Sequence, residues 1–123
     1  MYEAFSKVNY LKNRTPETTE AESKDAFLLL SEYRNGGIYI AHYCGSSEWE
    51  RHPNGDEIVQ VIEGETVLVL LEKNQQIVHT LITGQLFVVP KGIWHRFESP
   101  KGVKVMTVTP LPTEHRVEVP VTT

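Results

Sequence analysis

Two stretches of this chain carry side chains able to hold a metal ion: Glu50-Arg51-His52-Pro53-Asn54-Gly55-Asp56-Glu57 and Pro90-Lys91-Gly92-Ile93-Trp94-His95. Two imidazoles with one or two carboxylates make the donor set of a first-row metal site. On an extended strand Glu50 and His52 stand at i and i+2, so both project from one face. By the same alternation Glu57 shares a face with Val59 and Val61, and His95 shares one with Phe97. A polar head at the start of a strand, followed by apolar residues on the same side, suits a barrel with a packed base and a polar cavity near one mouth. Buried there alone, such heads would be costly, so a metal, a ligand or a hydrogen-bond network is expected beside them.

The elements that must position these heads read as strands. Residues 26–33 and 38–43 form two of them, joined across Arg34-Asn35-Gly36-Gly37. Further strands are expected at 47–52, 57–62, 65–72, 76–82, 85–89, 94–98 and 103–109. Turns separate them at Pro53-Asn54-Gly55, Glu63-Gly64, Lys73-Asn74-Gln75, Thr83-Gly84, Pro90-Lys91-Gly92 and residues 99–102. Short strands at regular spacing predict a sandwich or barrel, and no helical period follows Ala26. The fold class is all-β. Upstream, residues 1–24 are mostly polar; Thr15 before Pro16 could cap a short helix through Ser23, with an extended arm as the alternative. The expected division is an N-terminal arm over 1–25, a barrel over 26–110 and a C-terminal extension over 111–123.

The two stretches resemble the motifs of the cupins, small double-stranded β-helix (jelly-roll) barrels. The family's first motif runs glycine, five residues, His-x-His, three or four residues, glutamate, six residues, glycine; here His52, four residues, Glu57, six residues and Gly64 match its second half. Its second motif runs glycine, five residues, Pro-x-Gly, two residues, histidine, three residues, asparagine; here Gly84, Pro90-Lys91-Gly92, His95 and Ser99 follow that spacing. The resemblance covers about residues 26 to 110, a domain of ordinary size. It implies that His52, Glu57 and His95 take the places of three metal ligands and Glu50 that of the fourth, where the family usually has its first histidine. Cys44 occupies the opening glycine's place, with Gly45 one residue late, and Ser99 replaces the asparagine. Whether Glu50 ligates or sits at the cavity mouth stays open. The set implies a divalent ion, with Fe or Mn favoured and Ni or Zn possible.

Other residues carry less chemistry. Asp56 reads as a turn stabiliser, and Cys44 as a small buried thiol. His42, His79 and His115 lack motif context. Trp49 and Trp94 lie out of phase with the ligands and are expected on the outer face or in a subunit contact, whereas Tyr39 and Tyr43 compete with Ile38, Ile40 and His42 for the inward phase. A net charge of −4 argues against nucleic acid and anionic membranes as partners, and the longest apolar runs are too short to span a bilayer. One cysteine excludes an intrachain disulfide, and the first residues lack a secretory pattern, so a cytoplasmic setting is expected. Apolar residues on both phases around Trp49, Ile58, Ile62, Leu68 and Leu70 predict a homodimer, the surplus forming an outer contact sheet or lying under the N-terminal arm. The functional expectation is a metal-dependent enzyme of the oxygenase, isomerase or lyase class acting on a small molecule. The alternative is a non-catalytic small-molecule-binding or sensing module.

Overall fold

The structure is a computed structural model and describes residues 2–121. Among the described residues nine strands run β1 (Leu11–Arg14), β2 (Phe27–Tyr33), β3 (Gly36–Ser46), β4 (Trp49–Arg51), β5 (Glu57–Glu72), β6 (Gln75–Ile82), β7 (Leu86–Val89), β8 (His95–Pro110) and β9 (Glu114–Arg116). They form the expected all-β jelly roll. Apart from β1, which runs parallel to β3, all strand pairs are antiparallel.

Two expected turns are absent. Residues 57–62 and 65–72 form one strand, β5, that continues through Glu63-Gly64, and 94–98 and 103–109 form one strand, β8, that continues through residues 99–102. Each long strand bends instead of stopping. Gly64 and Gly102 adopt positive φ (97° and 91°), and the β5–β8 register shifts between Val61 and Glu63 and again between Gly64 and Val67. A Cβ on Gly64 would lie 2.6 Å from the Gly102 carbonyl oxygen, so the corner closes only around glycine. The N-terminal half of β5 and the C-terminal half of β8 therefore join β2, β3 and β7 in one layer. The remaining halves join β4, β6 and β9 in the other.

The register shifts reverse side-chain parity, so Glu57, Val59 and Val61 face inward before the bend and Leu68 and Leu70 after it. Together with Ala41, Tyr43, Phe97, Val103 and Val105 they make the packed core. Two smaller apolar clusters cover outer faces. Phe5 and Val8, from a 3-10 turn over Tyr2–Lys7 and the residue after it, pack with Ile40, Ile62 and Met106. Trp49 and Trp94 pack with Val69 and Leu71, beneath the guanidinium groups of Arg96 and Arg51. The surplus of apolar residues is thus absorbed largely within the chain, and the two tryptophans lie on the outer face as their phase predicts. The short helix begins later than expected, at Glu20–Ser23. Thr19 caps it rather than Thr15, because only Thr19 has a glutamate (Glu22) at the third helical position to complete a capping box.

Candidate metal centre

Two motif turns meet at one end of the barrel. The Gly92 amide donates to the His52 carbonyl (3.0 Å), and the Lys91 amide donates to Asp56 Oδ1 (2.8 Å). Asp56 is therefore the turn stabiliser its position suggests, and it ties the two ligand-bearing turns together. His52 lies just past β4, Glu57 opens β5 and His95 opens β8. All three are buried, and their donor atoms lie within 4.8 Å of one another.

The contacts fix which atoms point inward. His95 Nδ1 lies 3.0 Å from the Ile93 carbonyl oxygen, which can only accept, so Nδ1 carries a proton. In the neutral ring Nε2 then presents a lone pair to Glu57 Oε1, 3.1 Å away. His52 sets Nδ1 against Thr113 Oγ1 at 3.0 Å and aims Nε2 at Glu57 Oε2 at 3.2 Å, outside hydrogen-bonding geometry, leaving that buried nitrogen without a hydrogen-bond partner. Thr109 Oγ1 donates to Glu57 Oε2 (2.6 Å) and is held in turn by Thr107 (2.9 Å). Burial pushes the Glu57 carboxyl upward, but the close approach and charge of His52 and His95 outweigh it and hold the carboxyl down to about 2. For His95 burial opposes the charged form, and the contact with Glu57 more than reverses this, raising its pKa.

These donors fit a metal ion. Three lone-pair carriers converge, and two of them face each other at a distance that repels unless a proton or cation intervenes. Donors at right angles on one ion with bonds of about 2.1 Å stand about 3 Å apart, close to the separations seen here. Each imidazole engages its other nitrogen in an outer contact, the arrangement that orients metal-binding histidines.

Glu50 takes a different place. It pairs across strands with His95 on one side and His115 on the other, and it lines the same cavity as Glu57. Its carboxylate groups with Glu48 and His115, within 4.8 Å of one another, rather than with the buried three. His115 Nδ1 lies 2.9 Å from Glu48 Oε1 and 4.0 Å from Glu50 Oε2. Burial, then the charge of Glu57, raises the Glu50 pKa.

The inner cavity, about 170 Å³, is walled by Tyr39, Tyr43, Phe27 and Phe97 with Glu50, Glu57, Thr107 and Thr109 at its polar side. This settles the phase of β3, with Tyr39, Ala41 and Tyr43 inward and Ile40 beneath the N-terminal cover. A wider outer cavity of about 630 Å³ adjoins it, sharing Arg14, Phe27, Tyr39 and Glu50. His42 and His79 lie elsewhere, against Tyr10 and Phe87, and half-buried Cys44 donates to the Pro100 carbonyl. Ser99, buried, donates to Thr66 away from the centre. Arg14, Thr109, Thr113 and His115 reach the site without any motif to announce them.

The cupin domain family matches residues 40–109, more than half of the chain. This chain belongs to that family. Among relatives in sequence, the protein YdbB of Bacillus subtilis (strain 168) is 28% identical over 89 residues, covering 72% of this chain and 76% of YdbB. A cupin-2 domain containing protein from Shewanella frigidimarina NCIMB 400 superposes with a TM-score of 0.56 at 26% identity, covering 73% of this chain and 79% of that one. The fold is also that of hydroquinone 1,2-dioxygenase PnpCD in complex with Cd2+ and 4-hydroxybenzonitrile, with a TM-score of 0.56 and 18% identity; 68% of this chain and 63% of that one are covered.

Proposed function

We propose that this cupin holds a divalent metal ion through His52, Glu57 and His95 and uses it on a small molecule in the adjoining cavity, as an oxygenase, isomerase or lyase. The observation that carries the reading is the buried convergence of His52 Nε2, His95 Nε2 and both Glu57 oxygens, with His52 Nε2 otherwise unpartnered. Imidazole with carboxylate favours Fe or Mn, with Ni or Zn as further candidates. Such an ion would supply Lewis-acid or redox chemistry. The chain's own part is to fix the tautomer of His95 through the Ile93 carbonyl, to orient the His52 ring through Thr113 and to position the Glu57 carboxylate through Thr109. Aromatic side chains make up much of the inner cavity's wall and give it an apolar body beside the polar centre.

Glu50, which lines the same cavity as Glu57, is the candidate fourth donor. The non-catalytic reading is favoured by one observation: beyond Glu50 and Glu57, the inner cavity offers no further carboxylate or imidazole on its wall among the described residues. The proposal extends to a homodimer, because Val78, Ile82, Leu86 and Val88 are exposed on β6 and β7, and to the cytoplasmic setting expected from the sequence. Sedimentation near 14.0 kDa would overturn the dimer.

Elemental analysis of protein purified without added metal, beside a His52→Ala/His95→Ala variant, tests the centre. Wild type should carry close to one equivalent and the variant none; equal content in both overturns the site. Dioxygen uptake and substrate turnover by the loaded protein then separate enzyme from binder.

A further inference from the structure

Arg14 is the only cation among the described residues that line the inner cavity. It comes from β1, a strand outside the matched family segment, laid parallel to β3 with Arg14 opposite Gly45. That approach depends on the glycine: Gly45 has φ 118°, and a Cβ there would collide with the Arg14 carbonyl oxygen. Gly45 thus does steric work one residue after the place the motif assigns to its opening glycine. Above the strand, the Arg14 guanidinium lies over the rings of Tyr43 (4.5 Å) and Phe27 (4.9 Å). Among the described residues no carboxylate stands within salt-bridge distance of it.

We propose that Arg14 anchors a carboxylate on the small molecule that reaches the His52–Glu57–His95 centre. The inference rests on the proposed small-molecule function and names its substrate class: a compact monocarboxylate with an apolar or aromatic body. Three observations lead there. A guanidinium held over two rings, drawn to the Tyr43 hydroxyl but with no carboxylate in salt-bridge distance, still has N–H groups for a planar, bidentate acceptor. Arg14 borders both cavities, so a ligand moving from the outer to the inner one passes it. With a divalent ion at the centre, Arg14 brings the positive charges to three against two from Glu50 and Glu57, which matches one anionic group. The aromatic walls from Phe27, Tyr39, Tyr43 and Phe97 set the shape of the rest.

Benzoate and its uncharged counterpart benzamide serve as probes. Each is titrated calorimetrically into wild type, Arg14→Gln and Arg14→Met, as purified and after chelation, with metal content and a thermal melt recorded on the same samples. Wild type should bind benzoate about tenfold or more tighter than benzamide, the advantage of a charge-assisted bidentate pair. Both variants should lose the preference while keeping their metal; Arg14→Met keeps an apolar stem over Phe27 and Tyr43 and carries the test if Arg14→Gln does not melt cooperatively. A smaller preference should survive chelation in wild type and vanish in the variants. The anchor is overturned if wild type binds neither probe, if it binds both equally, or if a folded neutral variant keeps the preference. A wild type without metal but with an Arg14-dependent preference refutes the metal centre and leaves the anchor standing. Metal without preference does the reverse.

Discussion

Two clusters of nearly the same composition lie on neighbouring parts of this barrel. His52, Glu57 and His95 form one, and Glu48, Glu50 and His115 the other; in each the donor atoms lie within 4.8 Å of one another. Their surroundings differ. The first is buried at the joined ends of two tied turns, with every member oriented by a carbonyl or hydroxyl. The second lines the open outer cavity, and the His115 side chain is 54% exposed. In the second cluster Glu48 and His115 satisfy each other as an ordinary ion pair, each shifting the other toward its charged form. In the first His52 Nε2 is left over. Donor identity is shared between the clusters, whereas full burial with an unsatisfied donor belongs to one alone.

The sharpest way to break this comparison is to remove one imidazole from each cluster. His95→Ala should abolish metal retention after a chelator challenge. In the metal-free state it should also destabilise the fold by about 3–5 kcal/mol, because Glu57 is left buried without one of its two imidazole partners. His115→Ala should leave metal content unchanged and cost at most about 1 kcal/mol, as befits a half-exposed pair. Elemental analysis and denaturant melts read both. Comparable metal loss from the two variants would erase the distinction between the clusters.

The pH response separates them next. The Glu57 carboxyl, lowered to about 2 from an ordinary 4.5, contributes stability that is present above 4.5 and lost as pH falls toward 2. His95, raised above its ordinary 6.5, contributes stability present below 6.5 and lost as pH rises through its folded value. The chelated protein should therefore melt higher at about pH 5.5 than at about pH 8. Metal retention should run the other way, since protonated imidazoles donate no lone pair. His115 is raised as well, but its exposure screens the effect, so His115→Ala should keep both trends. A melting temperature of the chelated protein that is flat over this range would contradict the His95–Glu57 contact.

The buried cluster was legible in the sequence, and the open one was not, for physical reasons. His52, Glu57 and His95 sit at strand starts beside Pro-, Gly- and Asn-bearing turns, whose local chemistry fixes them. The strand phases of Val59, Val61 and Phe97 follow from two-residue alternation. The fusion of segments into β5 and β8 escaped because Gly64 and Gly102 read as turn residues, yet here they serve a bend shared by two paired strands. Arg14 and His115 escaped because β1 and β9 are four and three residues long and pair with distant partners, so neither carries a period of its own. Thr109 lies one residue before the end of β8 with no motif around it, and only its 2.6 Å contact with Glu57 gives it a role.

That contact sharpens the comparison at smaller scale. Thr109→Val keeps the shape of the side chain and removes the donor to Glu57 and the partner of Thr107. Groups that orient a ligand carboxylate are commonly worth about 10- to 100-fold in metal affinity. Competition with a chromophoric chelator should show a loss in this range. An unchanged affinity would remove the hydroxyl from the support of the centre.

Glu50 joins the two clusters and gives the smallest effect with the most informative sign. It faces the charge of Glu57 on one side and lies 4.0 Å from His115 on the other. Its pKa is raised, first by burial and then by Glu57, so the ionised carboxylate opposes folding at neutral pH. Glu50→Gln should therefore raise the melting temperature of the chelated protein. If Glu50 is the fourth donor, the same change should lower metal retention several-fold, because the amide is a poorer donor and removes a balancing charge. Glu50→His should keep a metal and shift preference toward Ni, Cu or Zn. A higher melting point with unchanged retention would place Glu50 wholly in the open cluster and leave a three-ligand centre. Lower retention would make it the carboxylate through which a metal at the buried site is felt at His115.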